Sequence, residues 1–310
     1  MRRRPLLFAS LVIVIASCGS RTALLVTGLE GGIDSGPDAL DAARDRRDGG
    51  RDALPMIDTS KPDVPKPNDC PDAEATLVYL ISANNVLMSF FPPTAGFKTI
   101  GTIVCPNTGG TGPFSMGVDR KGAAYVVFSN GSLYKVSTLT AACTSTTFKP
   151  TPMAGFTTFG MGFAGDNVSE ELYIAGTGVP SEGLATIDTA MTFKFTYINP
   201  FKPPLDRTEL TGTGDGRLFG WSPTSSMTSG STLTQIDRKT AQLTGANQLK
   251  IGTPQDAFAF AFWGGDFYIF TGQGSTTVTK YDPVAQKEST VATTNELIVG
   301  AGVLTCAPSQ

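Results

Sequence analysis

The chain reads as an all-β protein: a five-bladed β-propeller closed by its C-terminal strand, placed after a signal peptide and a disordered linker. Three observations predict it. A unit of short strands and tight turns recurs every ~45–50 residues, the period of a four-stranded blade. The strand that opens each unit is apolar and interleaved with small residues. One such strand stands alone near the C-terminus while the first unit lacks one, so the tail is expected to complete the first blade.

The repeat is clearest from Phe114 to Val136. Phe114–Val118 is apolar and glycine-spaced, Asp119–Gly122 is a turn, and Ala123–Phe128 is rich in β-formers. Ser129-Asn130-Gly131 then reads as a hairpin turn before the alternating Leu133–Val136. That last strand has equivalents at Val86–Phe91, Leu184–Asp188, Leu233–Asp237 and Val278–Asp282. Tyr125 in the preceding strand matches Tyr79, Tyr173, Phe219 and Tyr268. Opening strands fall at Phe114–Val118, Phe159–Phe163, Leu210–Gly214 and Phe258–Phe262, and the orphan is Ile298–Val303. Their small residues suit innermost strands, where blades crowd the axis. A six-bladed ring with one degenerate blade is the competing arrangement, whereas a β-sandwich would leave no orphan of the opening type.

Composition narrows the function. The 310 residues carry a net charge of -3, which gives no reason to expect a nucleic-acid partner. There is no histidine. The commonest general base and metal ligand are thereby removed, along with serine triads and histidine-bound zinc in their usual forms.

Arg2, Arg3 and Arg4 precede an apolar run from Leu6 to Ala16, then Ser17 and Cys18. A basic start and a core too short to span a bilayer as a helix mark a secretory signal over residues 1–17. The ending Ile15-Ala16-Ser17-Cys18 resembles the lipobox of bacterial lipoproteins, with Ile15 where leucine is usual. The resemblance implies that Cys18 is lipidated (palmitate among its acyl chains) and becomes the first mature residue. It further implies a lipid-anchored protein of the bacterial cell envelope; Gly19, where some inner-membrane lipoproteins carry aspartate, points to the outer membrane. Residues 18–72 read as a disordered tether, first Asp-rich with Arg44, Arg46, Arg47 and Arg51, then Pro-rich. Calcium-binding EF-hand spacing is absent there. The propeller is assigned to residues 73–310.

Beyond Cys18, the chain holds Cys70, Cys105, Cys143 and Cys306, an even number in an exported protein. Three pairings are possible. Cys70 and Cys306 flank the two ends that meet when the ring closes, so that pair is preferred, leaving Cys105–Cys143. Strand direction sets Cys105 and Cys143 on opposite faces, and the loop from Pro106 to Pro113 would have to bend back to join them.

The first residues of the opening strands should surround one mouth of a central channel: Ser115, Thr158, Glu209, Asp256 and Glu296. Three converging carboxylates, Glu209, Asp256 and Glu296, would suit Ca²⁺ or another hard cation if they approach within ~8 Å; solvated loop acids are the plainer alternative. The aromatic run Phe258–Phe270 and the segment Phe90–Pro93 could serve as stacking platforms, but their alternation suits a blade interior and an edge strand. Gly212–Gly216 lacks the following helix and lysine of a phosphate cradle and reads as a turn.

Asp119–Tyr125 and Asn130–Tyr134 give the repeat a style that resembles lactonase-like and YVTN-type propellers of secreted bacterial proteins, over residues 75–306. The resemblance implies a metal at the channel mouth by position alone. The leading expectation is a non-catalytic binding or scaffold domain on a membrane anchor, with an envelope protein, peptide or glycan as partner. The alternative is a metal-dependent envelope hydrolase or lactonase with Glu209 or Glu296 as base.

Overall fold

The computed structural model describes residues 54, 56–57, 76–150, 153–166, 168–224, 230–252 and 256–308. The chain separates into two units, Met1–Arg51 and Asp52–Gln310, and all described residues belong to the second. Cys18, Cys70 and the Asp/Arg-rich part of the linker lie outside the described residues.

Five four-stranded antiparallel sheets form the ring. Blade 1 contributes β1 (Val78–Ser82), β2 (Val86–Phe91) and β3 (Gly96–Thr102). Blade 2 holds β4 (Pro113–Val118), β5 (Ala123–Phe128), β6 (Leu133–Ser137) and β7 (Cys143–Ser145). Blade 3 holds β8 (Phe159–Gly165), β9 (Glu170–Gly176), β10 (Leu184–Ile187) and β11 (Phe195–Asn199). Blade 4 holds β12 (Glu209–Gly212), β13 (Leu218–Pro223), β14 (Ser231–Ile236) and β15 (Leu243–Leu249). Blade 5 holds β16 (Ala257–Trp263), β17 (Asp266–Gln273), β18 (Ser275–Asp282) and β19 (Lys287–Thr294). The last strand, β20 (Ile298–Val303), returns to blade 1 and pairs with β1, setting Val303 opposite Val78 and Gly300 opposite Ile81. The five-bladed ring closed by its tail is therefore the fold.

The aromatic residue of each second strand faces a small residue on the innermost strand. Tyr79 pairs with Gly302, Tyr125 with Gly117, Tyr173 with Gly162, Phe219 with Thr211 and Tyr268 with Ala261. Small residues on inner strands let neighbouring blades touch backbone to backbone. A Cβ on Gly162 would lie 2.7 Å from the Leu210 carbonyl oxygen and 2.9 Å from Thr211 Cα. Apolar cores then fill the five spaces between successive blades. Burial is thus shared between sheets, and no blade has a core of its own.

The turn after each third strand explains why Asp recurs there. Asp188 accepts backbone N–H groups of Ala190 and Met191, Asp237 those of Lys239 and Thr240, and Asp282 those of Val284 and Ala285. Ser137 does the same in blade 2 for Leu139 and Thr140. Short polar side chains that bond their own backbone a few residues on favour tight turns over continued strand. The chain then passes through one left-handed residue before the outer strand: Ala95, Ala141, Phe193, Ala241 or Gln286, all with φ between 51° and 58°.

Cys105 and Cys143 are disulfide-bonded, with Cα atoms 5.0 Å apart. The objection from strand direction fails because blades twist. Successive strands rotate by roughly 20–25°, so an outer strand runs obliquely and its end approaches the start of the next outer strand. At this crossing a Cβ on Gly101 would be 3.1 Å from Ala141 Cβ. The following loop returns along blade 2, where the Pro106 carbonyl accepts from the Tyr134 hydroxyl and the Thr108 carbonyl from Asn130 Nδ2. Cys306 is also disulfide-bonded; its expected partner, Cys70, lies outside the described residues.

Leu54, Met56 and Ile57, within the stretch read as tether, lie on the propeller. Ile57 is buried in the core between blades 4 and 5.

Gly162→Ala is expected to lower stability by about 3 kcal/mol, since the atoms it meets are backbone and have no room to yield. Urea denaturation of the chain and its variant measures it, and an unchanged midpoint would contradict the close blade contact.

Candidate functional site

At the end of the ring where the inner strands begin, two expected residues meet. Ser115, near the start of β4, and Glu209, the first residue of β12, are buried, and the Ser115 hydroxyl donates to Glu209 Oε2 at 2.7 Å. β8 stands between these strands in the ring, so the bond crosses the axial space. Burial pushes the Glu209 carboxyl up to about 8, against the lowering effects of the Ser115 hydroxyl, the Arg207 charge and the Met161 backbone. Arg207 lies between two rings, its guanidinium 5.0 Å from Phe114 and 4.4 Å from Phe258. These cation–π contacts stabilise a charge whose own pKa is lowered by burial. Thr158 instead faces Thr177, oxygen to oxygen at 3.1 Å.

The structure does not gather Glu209, Asp256 and Glu296 into a metal site. Asp256 is exposed, and Glu296 accepts from Asn84 Nδ2 at 3.4 Å. Among the described residues, no group of three or more Asp, Glu, Cys or His could hold a metal ion. Strand geometry supplies the reason. Glu209 is already within a strand and points inward, whereas Asp256 and Glu296 precede β16 and β20 and stay in the loops.

The aromatic stretches are structural. Phe267 and Tyr268 are buried, and Trp263 donates its indole N–H to the Thr76 carbonyl at 3.1 Å and hydroxyl at 3.0 Å. Phe90 is buried in the core between blades 1 and 5, while Phe91 meets Trp263 edge-on at 6.4 Å. The glycine-rich stretch after β12 is a turn, closed by Thr213 N–H to the Arg217 carbonyl at 3.0 Å.

The opposite end of the ring carries the charges that sequence reading missed. Arg120 donates its backbone N–H to Glu170 Oε1 at 2.8 Å and its guanidinium Nη2 to the Asp166 carbonyl at 2.7 Å. The Thr305 hydroxyl closes the network on Glu170 Oε2 at 2.8 Å. This half-buried carboxylate joins blades 1, 2 and 3, and its partial burial raises its pKa against the lowering effects of Arg120 and Thr305. Asp215 binds Arg217 through Nε at 3.0 Å and Nη2 at 2.8 Å, and this holds its carboxyl below the usual range despite burial.

Beside this network a groove of ≈ 810 Å³ runs between blades 1 and 2. Tyr79, Val136, Leu139 and Leu304 supply an aromatic and apolar part of its lining, and Lys121 is its one basic residue whose charge is not turned elsewhere: Lys135 Nζ lies 5.7 Å over the Tyr125 ring, and the Arg120 guanidinium turns to Asp166 and Glu170 of blade 3. Asp119 is spent on the turn itself, accepting from the N–H groups of Lys121 at 3.0 Å and Ala123 at 2.8 Å. A groove with an aromatic ring and a lysine can hold a carboxylate, phosphate or sulfate group. Lys121 inside a repeat turn was the available signal; the groove itself needed Tyr79 and Leu304 from blade 1 and the chain's tail.

No protein-family model matches the chain, and no curated protein matches it. Solved structures do show similarity. A structural-genomics protein of unknown function from Bacteroides thetaiotaomicron matches at TM-score 0.42 and 16% identity, covering 77% of this chain and 63% of that one. The extracellular domain of a putative hybrid two-component system from B. thetaiotaomicron matches at TM-score 0.36 and 12% identity, covering 71% and 28%. A chain of the mitotic checkpoint complex matches at TM-score 0.35 and 11% identity, covering 89% and 76%. The chain thus spans less than two thirds of the first two structures it resembles.

With Glu209 raised from 4.5 to about 8, the neutral form's stability advantage is complete below 4.5 and is lost as pH rises through 8. Glu209→Gln keeps an acceptor for Ser115 without the charge. The variant should gain on the parent by up to ~1.4 kcal/mol per pH unit across that window, measured as urea midpoints at several pH values. Parallel profiles for the two chains would contradict the burial.

Proposed function

We propose that this protein is a lipid-anchored envelope protein whose propeller is a non-catalytic binding module. The observation that carries the binding role is the groove between blades 1 and 2, which has Tyr79 and Lys121 in its lining on a chain of net charge -3. Arg120 is held by Glu170 and Lys135 lies over Tyr125, whereas Lys121 is free of ion pairs among the described residues. Such a side chain favours a ligand bearing a carboxylate, phosphate or sulfate group, drawn from an envelope protein, peptide or glycan.

The anchor rests on the basic start, apolar core and small-small-Cys ending at Cys18. Acyl chains on that cysteine would add about 0.8 kcal/mol for each buried CH₂. The hydrolase alternative asks for a shared metal-ligand set that Glu209, Asp256 and Glu296 do not form.

Two variants test the two halves separately. Cys18→Ser should move the chain from the membrane pellet to the soluble fraction. Lys121→Glu should weaken binding to an acidic peptide or a sulfated oligosaccharide at least tenfold in calorimetry, leaving the melting temperature unchanged. Retention of Cys18→Ser in the pellet sinks the anchor, and undiminished binding by Lys121→Glu sinks the groove.

A further inference from the structure

The segment Leu54-Pro55-Met56-Ile57 is an apolar quartet inside a polar linker. Ile57 is 7% exposed and sits with Trp221, Leu249 and Tyr281 in the core between blades 4 and 5. Leu54 packs against the core between blades 3 and 4. Three residue steps of extended chain span about 10 Å, so contacts with both cores require the segment to cross blade 4 at an edge. The outer strand β15 meets it there. Its buried Asn247 uses both ends of the amide: Oδ1 accepts the Ile57 backbone N–H at 3.3 Å, and Nδ2 donates to the Tyr281 hydroxyl at 2.6 Å. From blade 5, Gln286 Nε2 reaches the Met56 sulfur at 3.3 Å.

A buried side-chain amide can read the main chain of an extended peptide, as Asn247 does at Ile57, while apolar surface on either side takes its side chains. The main-chain bond fixes the register and the apolar surface selects the side chains. We propose that the outer edge of blade 4 is a peptide-binding site, and that the chain's own Leu54, Met56 and Ile57 occupy it in cis. The partner it fits is a protein presenting an extended segment with two aliphatic side chains three residues apart. That partner must displace the linker, which competes at an effective concentration on the order of millimolar. The site is separate from the groove between blades 1 and 2 and stands or falls without it.

The test uses the full chain carrying Leu54→Asp and Ile57→Asp, with a fluorescent synthetic peptide of residues 50–60 as probe. The unlatched variant should bind the peptide at least tenfold more tightly than the parent chain, and adding Asn247→Ala should abolish that binding. Amide exchange on the parent supplies a check that does not depend on the variant: the Ile57 N–H should exchange at least tenfold more slowly than in the free peptide. Equal binding by both chains, binding by neither, binding that survives Asn247→Ala, or free-peptide exchange at Ile57 would each overturn the proposal.

Discussion

Ring closure by β20 on β1 is the constraint on which the molecule depends. Each apolar core lies between two blades, so a blade without a neighbour exposes one of its faces. An open array would leave two such faces and a bare inner edge at each end. Pairing Ile298–Val303 with Val78–Ser82 removes both faults at once. The price is sequence separation, because the first blade cannot form until the last residues are available.

Closure explains the chemistry of the inner strands. Neighbouring blades can meet at the axis only if their innermost strands approach backbone to backbone, which is why Gly162, Gly300 and Gly302 stand there. With Cβ atoms absent, the axial space is small. Glu209 and Ser115 bridge it at one end, and at the other a Cβ on Gly214 would strike the Thr305 carbonyl. The two surfaces proposed for recognition, the groove between blades 1 and 2 and the outer edge of blade 4, both lie outside the axis.

Much of this was legible in the sequence, and the boundary is physical. Opening strands, aromatic second strands and Asp-ended third strands repeat because local geometry repeats, so their spacing revealed both blade number and orphan strand. Contacts across blades carry no such period. Ser115 was placed at the correct end of the ring, but nothing in its spacing announced the bond to Glu209, and Asp256 and Glu296 resemble Glu209 until the strand starts are known to the residue. The Cys105–Cys143 pair looked obstructed because strand direction was considered without sheet twist. Arg120 and Glu170 lie on different blades, and each alone looks like a surface charge. Leu54 and Ile57 were absorbed into a linker by the composition around them, although an apolar quartet in polar surroundings was the available clue.

Ending the chain after Leu297 tests the closed ring most directly, because it removes β20 and leaves the other blades' sequences intact. Loss of near-UV circular dichroism and of a single cooperative urea transition is predicted, since the cores on both sides of blade 1 open together. A shortened chain that keeps the parent's spectrum and midpoint would contradict closure as the source of stability.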